Sequence, residues 1–214
     1  MSKETIKIML VDDHAVVRAG LCRLIEYQVD MQVICEAESG EIAYQLYDPS
    51  KVDVLVMDLS MPGMGGLESA RRILGRHPKS KIVIFSMHDN ATFATQVIKA
   101  GIKGYVTKTG AYNDLIAAIQ EVAQGNMYLS AEIAKKIALQ NMAGDAHPLN
   151  LLSAREFEVF RLLADGLTTD VVGERLKVSQ KTVANYHSMI KQKLNVNSPI
   201  EMLRLAMRYG LIEN

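Results

Sequence analysis

Between Ile6 and Thr107, short runs of almost wholly apolar residues alternate with helix-like stretches, and this alternation restricts the fold more than any other feature of the chain. The runs are Ile6–Val11, Gln32–Ala37, Val54–Met57, Ile82–Phe85 and Gly104–Thr107. In the stretches between them, apolar residues such as Val16, Leu21, Leu24 and Ile25 recur at helical spacing. Runs that lack a polar alternation belong to strands covered on both faces, as in a parallel sheet between two helical layers. Successive strand–helix units of this size predict a doubly wound α/β domain over residues 1–128. In such a sheet, the groups that do chemistry gather beyond the carboxyl ends of the strands.

The residues that end the runs form one chemical set. Asp12 and Asp13 follow the first run, and Asp58 follows the third. The first and third strands of a doubly wound sheet are neighbours, so three carboxylates meet at one edge. Crowded carboxylates repel one another, and a hard divalent cation with oxygen ligands relieves the repulsion, Mg²⁺ being well suited. Ser86 ends the fourth run and Lys108 the fifth, which adds a hydroxyl and an ammonium to the same pocket. Those are the parts needed to move a phosphoryl group onto a carboxylate: positive charge to neutralise the group, and an oxygen to attack it. Asp58 stands alone on the central strand and is the expected nucleophile, leaving Asp12 and Asp13 for the metal. A single aspartate at a strand end is an ordinary cap or turn residue; the combination at four strand ends carries the reading.

The segments VDDH (Val11–His14), MDLSMPGMGG (Met57–Gly66), FSMH (Phe85–His88) and GYVTK (Gly104–Lys108) give residues 5–125 a resemblance to the receiver domain of two-component response regulators, a flavodoxin-like (βα)5 fold. The resemblance implies that Asp58 is the phospho-acceptor. It also implies that Asp12, Asp13, Asp58 and the backbone carbonyl of Ser60 bind Mg²⁺. Ser86 is then the switch hydroxyl, Lys108 bonds the phosphoryl group, and Tyr105 takes the place of an aromatic residue that changes rotamer with Ser86. A phosphoryl group adds about two negative charges, and Ser86 and Lys108 reach it only by moving, which biases a two-state surface. Tyr105 is open to a second reading as plain core. His14 and His88 are open to two readings as well, tuning the pocket or sitting in solvated loops. Thr109 follows Lys108 where many receivers carry proline, a departure that bears on local geometry rather than on the role of Lys108.

Strand signals end after the fifth run. A helix is expected over Ala131–Met142, then a polar stretch, AGDAHPLN, that reads as a linker, so residues 129–150 connect two domains. Residues 151–214 form an all-α domain with helices over Ala154–Asp165, Thr169–Leu176, Gln180–Leu194 and Pro199–Tyr209. Ser153, Thr168, Ser179 and Ser198 stand in front of them as N-caps. On the third helix, Val183, Tyr186 or His187, Ile190 and Leu194 recur at inward spacing, which turns Ala184, Asn185, Ser188 and Lys191 outward. That stripe fits a DNA major groove, with Asn185 matched to adenine and Ala184 to a thymine methyl. Gln180, Lys181, Thr182, Lys191 and Lys193 are placed for phosphates; on their own, such lysines are equally a solvated helix surface. The segments SAREFEV, LLADGLT and KTVANY make Leu151–Ile212 similar to the LuxR/NarL-type helix-turn-helix module. That resemblance implies double-stranded DNA as a partner and a homodimer on repeated half-sites. Many relatives carry lysine at the position of Ala184 and a basic residue at that of Ser188, so a shallower salt dependence of binding is expected here. Leu203, Ala206 and Met207 on the last helix leave an apolar strip, either core or a two-fold contact.

Composition narrows the remaining classes. Net charge is zero, with 13 basic against 15 acidic residues over 1–128 and 9 against 7 over 149–214, too even to argue for nucleic acid by itself. No apolar run is long enough to span a bilayer, and MSKETIK has no hydrophobic segment behind its lysines, so a cytoplasmic, non-membrane protein is expected. Cys22 and Cys35 read as small core residues. The expected function is a response regulator in which a sensor histidine kinase phosphorylates Asp58 and thereby controls transcription. Two alternatives differ in class. An aspartyl-phosphate phosphohydrolase needs an acid two residues beyond the nucleophile, where this chain has Ser60. A phosphorylation-independent DNA-binding regulator does not need the complete set Asp12, Asp13, Asp58, Ser86 and Lys108.

Overall fold

The computed structural model describes residues 5–110, 112–142 and 148–212; residues 143–147 of the expected linker lie outside these. The chain divides into two compact units, Met1–Asp89 with Ala100–Ala131, and Asn90–Lys99 with Glu132–Asn214.

In the first unit, β1 (Ile6–Val11), α1 (Ala15–Glu26), β2 (Met31–Ala37), α2 (Gly40–Leu46), β3 (Val54–Met57), α3 (Gly66–Arg76) and β4 (Ile82–Ser86) alternate as expected. The chain then forms α4 (Ala91–Lys99), which belongs to the second unit, and returns as β5 (Gly104–Thr107), α5 (Tyr112–Ala123) and β6 (Tyr128–Leu129). All strand pairs are parallel, in the order β2-β1-β3-β4-β5-β6. The strands β3, β4 and β5 are buried along their whole length, whereas the edge strand β2 alternates buried and exposed positions. This is the burial pattern that apolar runs between two helical layers demand. One face of the sheet gives Ile8, Leu10, Val54, Val56, Val83 and Val106 to a core shared with α1 and α5. The sixth strand corrects the expectation that pairing ends at β5. It is too short to carry a period, and it forms because Tyr128 N–H donates to the Lys103 carbonyl at 2.8 Å and Ser130 N–H to that of Tyr105 at 3.2 Å. Those bonds use the outer edge of β5, which would otherwise present unpaired carbonyls. Cys22 and Cys35 are free thiols at the half-buried margin of the unit, and burial pushes the Cys22 thiol up to about 11.

In the second unit, α6 (Ala131–Met142) and a short 3₁₀ turn (Pro148–Leu151) precede α7 (Ala154–Ala164), α8 (Thr169–Leu176), α9 (Gln180–Leu194) and α10 (Pro199–Arg208). Each of the four expected caps accepts a backbone N–H of its own first turn, and Ser153 forms a full capping box with Glu156. Lys177 and Asn195 end α8 and α9 in the left-handed conformation. Between α8 and α9, a Cβ on Gly173 would lie 2.9 Å from the Val178 carbonyl oxygen, so the turn closes on bare backbone. Phe157, Phe160, Val172, Val183, Ile190 and Ala206 are all essentially inaccessible and make the core of this unit.

Gly66 opens α3 beneath the loop that carries Asp58. A Cβ there would stand 1.9 Å from the backbone oxygen of Asp58, and that oxygen cannot retreat while Asp58 N–H donates to the Val11 carbonyl at 2.8 Å. Gly66→Ala is therefore expected to destabilise the protein by about 3 kcal/mol, seen as a lower urea midpoint; an unchanged midpoint would mean that α3 does not start against this loop.

Candidate functional site

The register of the parallel strands builds the site. Val11 pairs with Met57, so Asp12 and Asp58 emerge side by side. Ser86 pairs with Thr107, and Lys108 N–H donates to the Ser86 carbonyl at 2.7 Å, which aims the lysine back across the same edge. Its Nζ lies 2.7 Å from Asp12 Oδ2 and 3.0 Å from Asp58 Oδ2. Asp12, Asp58 and Ser86 are all buried. Burial alone drives the Lys108 ammonium toward its neutral form, but the hydrogen bond to Asp12 and the charge of Asp58 outweigh it and hold the pKa above its ordinary value. The lysine is therefore charged throughout the neutral range, and its contribution to stability fades only in strongly alkaline solution. No cis peptide bond occurs among the described residues, so Thr109 follows Lys108 through a trans bond.

The charge balance leaves one acidic group over. Asp13 Oδ1 is buried and has no hydrogen-bond partner among the described residues. Carboxylate oxygens of Asp12, Asp13 and Asp58, with a ring nitrogen of His14, lie within 4.8 Å of one another. An oxygen-rich cluster with an orphaned buried acceptor fits a hard divalent cation.

Around this pocket the loops are tied together. Ser60, two residues beyond Asp58, brings its N–H to 3.4 Å from Asp58 Oδ1, and its hydroxyl lies 2.9 Å from His88 Nε2. Ser86 Oγ accepts the His88 N–H at 3.1 Å, and the Tyr105 hydroxyl donates to the His88 carbonyl at 2.7 Å. Tyr105 is fully buried, and burial pushes its phenol well above the usual value. It is thus core by position, with its hydroxyl hydrogen-bonded to the loop after Ser86. His88 likewise holds contacts across the pocket mouth rather than standing in solvent. Sequence reasoning missed two supports. Arg18 Nη1 donates to the Asp12 carbonyl at 2.7 Å, and Glu41 Oε1 accepts the Met64 N–H at 3.0 Å, steadying the loop between Asp58 and Gly66. Arg18 lies one helical turn after His14, a spacing that could have placed it near the pocket; Glu41 carried no local signal.

In the second unit, α9 presents Gln180, Lys181, Ala184, Asn185 and Ser188 to solvent, with Lys191 half-buried beside them and Val183, Ile190 and Leu194 in the core. Gln180, Lys181, Asn185 and Lys191 keep their polar groups unengaged among the described residues, whereas the Thr182 hydroxyl pairs with Ser179 and that of Ser188 donates to the Ala184 carbonyl. Lys193 is committed elsewhere, its Nζ 2.6 Å from Oε2 of the capping-box Glu156. Burial pushes the Glu156 carboxyl up, but Lys193 and Ser153 together hold it below its ordinary value of 4.5. A depressed carboxyl stabilises the fold above its unfolded pKa and loses that contribution as pH falls through the folded one. Lys193→Met is expected to cost about 1 kcal/mol at neutral pH, the solvent reaching Lys193 limiting the figure. In urea melts the deficit should vanish well below pH 4.5; an equal deficit at both pH values would show that the ion pair is not its source.

Comparison with known proteins finds a family for each part of the chain. Residues 8–120 match the response regulator receiver domain, and residues 150–206 match the luxR family of bacterial regulatory proteins. The chain is 35% identical to the response regulator GacA of Pseudomonas aeruginosa over 210 residues, which covers 97% of this chain and 98% of that one. It is 36% identical to the response regulator UvrY of Escherichia coli over 208 residues, 96% of this chain and 95% of the other. Among solved structures, RcsB from Salmonella enterica serovar Typhimurium, bound to promoter P1flhDC in the presence of the phosphomimetic BeF3⁻, superposes with a TM-score of 0.73 at 26% identity. That match covers 94% of this chain and 98% of RcsB. With a receiver sheet whose carboxyl edge gathers Asp12, Asp58 and Lys108, and a helix-turn-helix segment later in the sequence, this chain belongs to the two-component response regulators with a LuxR-type DNA-binding domain.

Proposed function

We propose that Asp58 accepts a phosphoryl group from a sensor histidine kinase and that the modified receiver controls binding of α9 to promoter DNA. The observation that carries this is Lys108 Nζ held between Asp12 and Asp58, a fixed cation beside the one carboxylate on the central strand. Asp12, Asp13, Asp58 and the Ser60 carbonyl are assigned to Mg²⁺, which, when bound, neutralises charge on the transferring group. An Asp58 carboxylate oxygen attacks phosphorus while the P–N bond to the kinase's phosphohistidine breaks, the imidazole leaving with the electron pair. Lys108 turns from Asp12 to the new phosphoryl oxygens, and the Ser86 hydroxyl donates to another. Movement of Ser86 Oγ toward the phosphoryl group displaces the acceptor of the His88 N–H, and His88 is also bonded to Tyr105 and Ser60, so the change spreads to both loops. This coupling supports Tyr105 as part of the switch.

On the output side, RcsB in complex with promoter DNA supports the same use of the helical unit here. Asn185 and Ala184 are assigned to base edges, and Gln180, Lys181, Thr182, Ser188 and Lys191 to groove and phosphate contacts. Lys193 reaches a phosphate only by leaving Glu156. Leu203 and Met207, exposed on α10 beside the buried Ala206, supply a contact for a homodimer. Incubation with acetyl phosphate and Mg²⁺ is expected to add one phosphoryl group by mass. The product should bind fragments selected from genomic DNA about tenfold more tightly, and Asp58→Asn should abolish both effects. No mass gain in the wild type, or a gain retained in Asp58→Asn, would refute the assignment; a mass gain with unchanged affinity would leave a phospho-acceptor uncoupled from DNA.

A further inference from the structure

We infer that His14 is a ligand of the cation in the acidic pocket through its Nδ1 atom, and that it turns the pocket's preference from Mg²⁺ toward first-row transition-metal divalent ions, for which Mn²⁺ serves as the spectroscopic probe. The inference rests on the metal-holding role assigned to Asp12, Asp13 and Asp58 and adds to them a nitrogen that this assignment does not use. Three observations carry it. His14 Nδ1 lies 3.0 Å from Asp13 Oδ1 and 3.5 Å from Asp12 Oδ1. Ligands in adjacent positions of an octahedral ion, with bonds of about 2.1 Å, stand about 3 Å apart, so the nitrogen and the Asp13 oxygen already have the spacing of two such ligands. Second, Asp13 Oδ1 has no hydrogen-bond partner even at this distance. The two atoms therefore approach without the alignment of an N–H···O bond, as two ligands facing a shared cation do. Third, Lys108 occupies the Oδ2 atoms of Asp12 and Asp58, which leaves Asp12 Oδ1 and Asp13 Oδ1 toward His14.

The ring is free to complete such a site. The His14 N–H donates to Asp12 Oδ1 at 2.8 Å, which anchors the backbone at the pocket rim, while the side chain is 66% exposed and turns at little cost. Mg²⁺ takes oxygen ligands and keeps its waters, whereas an imidazole nitrogen favours the first-row transition metals, with Mn²⁺ gaining least among them. Binding would exchange one water on the metal for His14 Nδ1.

Pulsed EPR of Mn²⁺ bound to the full-length protein tests this. The wild type should hold one Mn²⁺ with the nitrogen modulation of an imidazole ligand. His14→Gln should remove that modulation and weaken Mn²⁺ about tenfold while leaving Mg²⁺ competition nearly unchanged. His88→Ala should keep the modulation, which assigns it to His14. Bound Mn²⁺ without nitrogen modulation in the wild type, or modulation surviving in His14→Gln, would overturn the inference and leave the carboxylate site intact. An absence of Mn²⁺ binding, or binding indifferent to Asp13→Asn, would instead remove the metal site itself, and the role of His14 with it.

Discussion

The ammonium of Lys108, wedged between Asp12 and Asp58, is the interaction on which the rest of the receiver depends. Two buried carboxylates at one sheet edge are tolerable only with positive charge beside them, because removing either partner of a buried pair strands the other in a poor solvent. The parallel register that sets Val11 against Met57 forces the carboxylates together. The pairing of β4 with β5 supplies the remedy, since it delivers Lys108 to the same edge. The sheet thus creates an electrostatic problem and its compensation with one set of hydrogen bonds.

That compensation is incomplete by design of the residues present. Lys108 satisfies one oxygen of Asp12 and one of Asp58, and Asp13 keeps a buried oxygen without a hydrogen bond. The surplus negative charge is what makes the pocket receptive to a cation. Under the proposed function the lysine's two short contacts would be exchangeable, since phosphoryl oxygens on Asp58 would offer it equivalent partners at similar cost. The loops around the pocket are linked through His88, whose backbone and ring join Ser86, Tyr105 and Ser60. The α9 surface follows the same economy of charge. Its unengaged polar groups run from Gln180 at the helix start to Lys191 in the last turn, while Lys193 is spent on Glu156 and the stability of α7.

Most of the site was legible from sequence because strand ends are legible. Apolar runs mark the strands within a residue or so, the doubly wound order fixes which are neighbours, and the side chains that follow the runs then have to meet. Serine and threonine caps marked the start of each C-terminal helix for a similar reason, since the signal is confined to one turn. What escaped were features with no local signature. The two residues of β6 cannot show a period, and they pair only because β5 offers an open edge. Glu41 reaches Met64 and Lys193 reaches Glu156 across long separations that no pattern of spacing encodes. The inclusion of Asn90–Lys99 in the second compact unit was equally hidden, because helical periodicity shows that a face is apolar without showing what covers it.

The central claim is that Lys108 is a charged bridge between Asp12 and Asp58, and its side-chain nitrogen reports on this directly. A pH titration of the Lys108 Nζ resonance by heteronuclear NMR should place its pKa above the ordinary 10.5 in the wild type. In Asp58→Asn the value should fall, because burial then acts against the charge with one carboxylate fewer to oppose it. A Lys108 titration identical in the two proteins would contradict the account, since it would place the lysine away from the carboxylate that the whole edge is built to serve.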